Sequence, residues 1–145
     1  MKIIEFNFKM LNGILATGQN LYRWKKIESE LCFYCESSIH DTKHLLLDCR
    51  HNDKIWTVLE MIFDTQLSWK DIVLGTTNKD VNAIISLISF IIYKKHVIDR
   101  EDIGSRNIKL RQFMKKELIR RGESYVNTKV LRNLNILIQK LLANM

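Results

Sequence analysis

Apolar residues recur at intervals of three and four along most of the chain, which is the spacing of one helix face. This pattern predicts helices over residues 3–11, 19–27, 53–63, 68–74, 78–99, 105–121 and 124–143. The 78–99 segment is apolar around most of its circumference, so we expect it in the core. Proline is absent and only five glycines occur. The predicted fold class is therefore mostly α, a small helical domain.

Polar residues mark where several of these helices are expected to begin. Asn78 or Thr77 should cap the long helix, Ser68 the brief one, and Ser105 the helix that precedes Gly122. The same periodicity places several side chains on apolar faces, among them Trp24 in the second helix, Trp56 in the third and Ile108 near the start of the 105–121 helix.

All three cysteines lie within eighteen residues, and with His44 they form the order Cys32-x2-Cys35-x8-His44-x4-Cys49. Three thiolates and an imidazole form the donor set of a closed tetrahedral zinc site, with bonds of about 2.0 to 2.3 Å. The spacing thus predicts a Cys-Cys-His-Cys knuckle that binds Zn²⁺ and is embedded in the helical fold.

The second ligand pair constrains the local backbone. His44 and Cys49 are five residues apart, and on a continuous α-helix, at about 100° per residue, they would diverge by about 140°. The helix capped by Asp41 or Thr42 should therefore end near Asp48, so that a turn can bring the last sulfur back.

Other interpretations of this segment stay open. His40 and His51 compete with His44 as the nitrogen ligand. The cysteines could instead be reduced core residues beside a surface histidine. A disulfide framework is disfavoured, because an odd number of cysteines leaves one thiol unpaired.

The formal net charge of +7 is concentrated in the second half of the chain. Residues 1–70 carry nine basic and nine acidic side chains, whereas residues 71–145 carry fourteen and seven. Such an excess favours a polyanionic partner, either RNA or DNA. The candidate phosphate-binding residues are Lys109, Arg111, Lys115, Lys116, Arg120, Arg121, Lys129 and Arg132. Phe33 and Tyr34, between two ligands, are candidates for stacking on bases.

The remaining expectations concern organisation and location. We divide the chain into an N-terminal helical segment (1–30), the knuckle (31–52) and a basic helical region (53–145), forming one unit. The apolar run 81–93 is thirteen residues long, and a membrane span needs about twenty, so no membrane partner is expected. The N-terminus lacks the pattern of a signal peptide. We expect a nuclear or cytoplasmic protein that is not secreted; its oligomeric state is left open.

Several motifs together resemble the zinc-binding region that follows the polymerase domain in non-LTR (LINE-type) retrotransposon reverse transcriptases. They are residues 6–17 (FNFKMLNGILAT), 21–24 (LYRW), the Cys-Cys-His-Cys set, Trp56 and 71–75 (DIVLG). The likeness covers about residues 5–121. It implies a segment that handles nucleic acid, with Cys32, Cys35, His44 and Cys49 as zinc ligands.

Two departures from that family stand out. Ala16 occupies a position where the family usually has proline, and no Asp-Asp pair of a polymerase palm occurs. The chain is therefore interpreted as a fragment of such an element, or as a host gene derived from one, with the rest of a reverse transcriptase as a further partner.

The leading functional hypothesis is a non-catalytic RNA- or DNA-binding zinc module. The alternative is a zinc-stabilised module for protein interaction or scaffolding. A His-Asn-His nuclease, suggested by His51-Asn52, lacks the second cysteine pair and the Asp-His strand of that class, so we expect no enzymatic activity.

Overall fold

The computed structural model describes residues 1–52 and 54–122, together with residues 132, 135, 136, 139, 140 and 143. Within these residues the chain forms six α-helices: α1 (Ile3–Leu11), α2 (Gly18–Arg23), α3 (Ile55–Phe63), α4 (Trp69–Leu74), α5 (Lys79–Glu101) and α6 (Leu110–Gly122). A π-helical turn (His44–Asp48) and two 3₁₀ turns (Arg50–Asn52 and Ile103–Asn107) lie between them. The predicted mostly helical class is confirmed, and the only β pairing in this part of the chain is a bridge between Leu31 and Ile39.

Helix α5 lies at the centre of the fold. It contacts α1, α4, α6, the π-helical turn and the second 3₁₀ turn. Its apolar residues are buried around most of the helix, among them Ile84, Leu87, Ile88 and Ile91, each fully enclosed. The enclosure of these side chains is the main apolar contribution to stability, and it confirms the core position predicted for this segment.

Two predicted caps are confirmed by their hydrogen bonds. The Asn78 side chain accepts from the backbone amides of Asp80 and Val81, at 2.9 and 3.2 Å. Ser68 and Asp71 form a reciprocal capping box at the start of α4. Each cap satisfies amides that the first helical turn leaves without a partner.

The predicted position of Trp24 is wrong. Helix α2 ends at Arg23, Trp24 is its C-terminal cap, and Lys25 has a left-handed φ of 58°. Because the helix does not continue to residue 27, no helical face carries Trp24 inward, and 46% of the residue is exposed. Trp56 behaves as predicted: it is buried and donates from its indole Nε1 to the Leu46 carbonyl at 2.6 Å.

The start of the basic helix also differs from prediction. Ser105 does not cap α6, because it lies in the preceding 3₁₀ turn and donates from Oγ to the Asp99 carboxylate at 2.5 Å. Ile108, predicted to point inward, is 45% exposed in the short connection before Leu110. The predicted final helix, 124–143, lies almost entirely outside the described residues.

By length and composition alone, α5 could cross a membrane. Of the apolar window that meets this criterion, 67% is buried inside the protein. Lys95, His96 and Asp99 are also buried on this helix. In the described structure α5 has the environment of a core helix.

Candidate metal centre and basic surface

The first two sulfur donors lie on a tight loop closed by backbone hydrogen bonds. The Cys32 amide donates to Ser38 O at 2.8 Å, and the Glu36 amide donates to Cys32 O at 2.8 Å. Glu36 takes a left-handed φ of 57°, which reverses the chain after Cys35. The loop thereby places Cys32 and Cys35 on one tight turn of the backbone.

The second pair of donors is positioned by a π-helical turn. Asp41 caps it by accepting from the His44 amide at 2.8 Å, which decides between the two predicted caps. The Cys49 amide then donates to the His44 carbonyl at 2.9 Å, an i to i−5 bond. The helix ends before Cys49, as the spacing predicted. The sequence reasoning missed the wider π turn, a feature that is frequent at functional sites.

The donor atoms converge. Ligand atoms of Cys32, Cys35 and His44 all lie within 4.8 Å of one another. Cys35 Sγ is 3.5 Å from His44 Nε2, and Cys32 Sγ is 3.8 Å from Cys49 Sγ. A tetrahedral zinc ion with ordinary bond lengths separates two sulfurs by about 3.8 Å and a sulfur from a nitrogen by about 3.5 Å. The donor atoms of Cys32, Cys35 and His44 could therefore hold a zinc ion, whereas the Cys49 sulfur lies outside this close group and near Cys32 alone.

The surroundings of the sulfurs favour the thiolate form of Cys32 over that of Cys49. The pKa of Cys32 is lowered, chiefly because its sulfur shares a hydrogen bond with Cys49, and the backbone amides of Cys35 and Tyr34 add to the effect. The pKa of Cys49 is raised by the same shared bond and by burial, while the amide of His51 opposes the rise. Amides thus approach both sulfurs, and a divalent cation would replace the proton that the two share.

The other two candidate histidines do not join the donor group. His40 is fully buried; its Nδ1 accepts from the Gly18 amide at 2.7 Å, and its Nε2 lies 3.0 Å from Nδ1 of His96. Burial lowers the pKa of His40 to about 4 and also lowers that of His96. The ring of His51 stacks on Tyr34, with centroids 4.5 Å apart. His40 is therefore a buried link between the loop, α2 and α5.

Phe33 and Tyr34 anchor the zinc loop to α5. The Arg100 and Arg106 guanidinium groups lie 5.1 and 4.5 Å from the Phe33 ring centroid. The Tyr34 hydroxyl donates to the buried Asp99 carboxylate. Both residues are half-buried. Base stacking by Phe33 and Tyr34 stays a prediction, and any base would have to use the part of each ring that remains exposed.

The partners of Asp99 could not be predicted from the sequence. Its carboxylate lies 2.5 Å from the Lys95 ammonium group and also accepts from Tyr34 and Ser105. Neither Asp99 nor Lys95 is more than 5% exposed at its side chain. The signal in the sequence is only an ordinary i, i+4 pair on a helix.

The predicted phosphate-binding residues differ in their environments. Lys109, Lys116, Arg120 and Arg132 are exposed, whereas Arg111, Lys115 and Arg121 are half-buried and Lys129 lies outside the described residues. Glu117 binds Lys94, Arg120 and Arg121 at 3.1, 2.8 and 3.3 Å. The Glu117 carboxylate therefore offsets part of the positive charge of this region. Lys109, in the connection before α6, and Lys116, on α6, are exposed and are not bound to Glu117.

The fold and the site define a helical protein with a cluster of cysteine and histidine donors beside its central helix. Residues 1–56 match the family model described as zinc-binding in reverse transcriptase. The resemblance is confirmed over these residues, and Zn²⁺ is the metal that this match and the donor set support. Beyond residue 56 the resemblance stays a prediction. No curated protein and no solved structure matches the chain.

Proposed function

We propose that the chain is a non-catalytic nucleic-acid-binding module, in which zinc holds the 31–52 segment and basic side chains contact phosphates. One observation carries this proposal: a cluster of zinc-ligand side chains lies within residues that match the zinc-binding family of reverse transcriptases, in a chain with a formal net charge of +7. Cations near phosphates release counterions from nucleic acid, which is the main source of non-specific affinity.

In this proposal Cys32, Cys35, His44 and Cys49 are the four zinc ligands. Cys49 is included because its sulfur lies one tetrahedral edge, 3.8 Å, from that of Cys32. A bound zinc ion would neutralise the thiolates and tie the 32–35 loop to the π-helical turn. Structural zinc of this type contributes about 10 to 16 kcal/mol of apparent binding free energy at neutral pH, enough to determine whether the segment folds.

The ligand set is tested by metal analysis of purified variants. We expect one zinc per chain in the wild type, loss of zinc from Cys49→Ser and His44→Ala, and retention of zinc by the matched control His51→Ala. Zinc lost from His51→Ala but kept by His44→Ala would reassign the nitrogen ligand. Undiminished zinc in Cys49→Ser would remove the fourth ligand.

Nucleic-acid binding is tested by the salt dependence of affinity for a labelled duplex. The logarithm of the binding constant should fall with the logarithm of salt by about 0.9 for each phosphate contacted. Lys115→Glu with Lys116→Glu should reduce the slope by about 1.8 if both lysines contact phosphates. The control pair, Lys70→Glu with Lys79→Glu, removes equal charge from exposed positions on α4 and α5. A wild-type slope near zero would refute the proposal.

The second candidate function is a protein-docking module, and one observation favours it. Ile4, Phe8 and Leu11 recur at helical spacing on α1 and are 83, 61 and 56% exposed. An exposed apolar stripe is typical of a surface that binds another protein. Affinity for a protein partner that is lost in Phe8→Ser, with no measurable affinity for nucleic acid, would support this function instead.

A further inference from the structure

A basic cleft opens beside the zinc segment. It has a volume of about 430 Å³ and lies where Tyr34 and the Arg50–Asn52 turn meet α5 and the connection into α6. The volume falls within the range of about 300 to 1,000 Å³ that small-molecule sites occupy.

Its charge is positive because its single acid is already neutralised. Of the described residues that line the cleft, four are basic (Arg50, Lys95, Arg106 and Lys109) and only Asp99 is acidic. Asp99 pairs with Lys95. Arg106 is held in place by its bond from Nε to the Asp99 carbonyl at 2.7 Å. The cleft therefore keeps an excess of three positive charges.

Two of these charges are available to a ligand. Arg50 and Lys109 are exposed, and they line the cleft from two separate segments of the chain, one after Cys49 and the other before α6. Among the described residues neither forms an ion pair. A phosphate between them would gain two charge-assisted hydrogen bonds without breaking an existing one.

An aromatic wall faces the same cleft. His51 is exposed, and its ring is stacked on Tyr34 at 4.5 Å with an interplanar angle of 17°. Tyr34 is itself fixed by its bond to Asp99. A supported flat ring beside cations is the arrangement on which single-stranded bases stack. An acidic peptide would use the charges but not the ring.

We propose that this cleft binds one nucleotide of a single-stranded nucleic acid, with its phosphate between Arg50 and Lys109 and its base against His51. The inference rests on the proposed function and adds the site and the form of the ligand. A base within a duplex is stacked on both sides and paired, so it cannot reach the ring without leaving the helix. The chain should therefore prefer single strands to duplex.

The test uses the full zinc-loaded chain and fluorescein-labelled oligonucleotides of equal length: oligothymidine, an abasic strand and a duplex. Stacking of one base predicts about 5- to 160-fold tighter binding of oligothymidine than of the abasic strand. The preference for oligothymidine over the abasic strand should be absent in His51→Ala and present in His51→Tyr, because tyrosine also provides an aromatic ring. Zinc content and circular dichroism of each variant show whether the fold is retained.

The phosphate contacts are tested separately. Because both side chains contact the same phosphate, Arg50→Gln with Lys109→Gln should weaken oligothymidine binding by about tenfold or more and lower the salt slope by about 0.7. The control, Lys70→Gln with Lys79→Gln, should change neither by a comparable amount, although it removes the same charge.

The outcomes separate this inference from the proposed function. Suppose that oligothymidine binds with a clear salt slope. If the abasic strand then binds equally well, or if the Arg50→Gln, Lys109→Gln variant binds as its control does, nucleotide binding in the cleft is refuted and the proposed function stands. If no nucleic acid binds, both fail. If polyglutamate competes as well as oligothymidine does at equal charge, the cleft is a site for acidic protein instead.

Discussion

Asp99 joins the zinc segment to the helical core, and its replacement should be among the most damaging single changes in the chain. The carboxylate is fully buried, lies 2.5 Å from Lys95 Nζ, and accepts from Ser105 and from Tyr34 of the zinc loop. Asp99→Ala leaves the ammonium group of Lys95, 5% exposed at its side chain, without a counter-charge.

The magnitude follows from that burial. Breaking a buried pair by removing one partner destabilises a protein by about 3 to 5 kcal/mol, because an uncompensated charge remains inside. This is a large part of the roughly 5 to 15 kcal/mol that stabilises an ordinary domain. Removing both charges, as in Asp99→Leu with Lys95→Met, should be much less damaging than Asp99→Ala alone, since no buried ion is left.

The assay is denaturant unfolding in excess zinc, applied as a double-mutant cycle to the two positions. A coupling energy of about 2 kcal/mol or more between Asp99 and Lys95 is expected. The matched control is the exposed pair Glu5–Lys9, which has the same i, i+4 spacing, with side chains 49 and 33% exposed. Its removal should have little measurable effect. Additive effects at Asp99 and Lys95, within about 0.5 kcal/mol, would refute the reasoning.

Three further predictions follow from the packing around the zinc segment. Gly18→Ala should destabilise the protein by about 1 to 3 kcal/mol, because a Cβ there would lie 2.7 Å from His40 Cβ; Gly104→Ala, where the nearest contact is 3.3 Å to a flexible side chain, is the control in the same unfolding assay. Trp56→Ala should cost about 3 to 5 kcal/mol, whereas Trp24→Ala, at a residue 46% exposed, should cost far less; equal losses would contradict the assigned burial. Burial lowers the pKa of His40 to about 4 in the folded protein, whereas an unfolded histidine has a pKa of about 6.5. As the pH falls, the unfolded state therefore binds the proton first. The free energy of unfolding should decrease as the pH falls from about 6.5 towards 4. Unfolding measured only at pH values where zinc is retained should show this decline, and a flat profile would contradict it.

The resemblance to the zinc-binding region of reverse transcriptases shows how much of the site can be predicted from local sequence patterns. The order of cysteines and histidine is a local property of eighteen residues; it indicated the metal, and together with the short motifs on either side of it, it indicated the related family. The helix ending before Cys49 was also predictable, since five residues do not fit one face of an α-helix. The π turn that replaces the last α turn was not, because it depends on one backbone bond between His44 and Cys49.

The sequence by itself determined the helical class, the central helix and its Asn78 cap, and the set of residues from which a zinc site could be built. These features depend on periodicity and on side chains within a few residues of one another. Which histidine faces the sulfurs depended on a contact to His96, fifty-six positions after His40. The charge of the cleft depended likewise on Arg50, Arg106 and Lys109 meeting in space. Such long-range contacts depend on how the helices pack around α5, and the spacing of residues along the chain does not predict them.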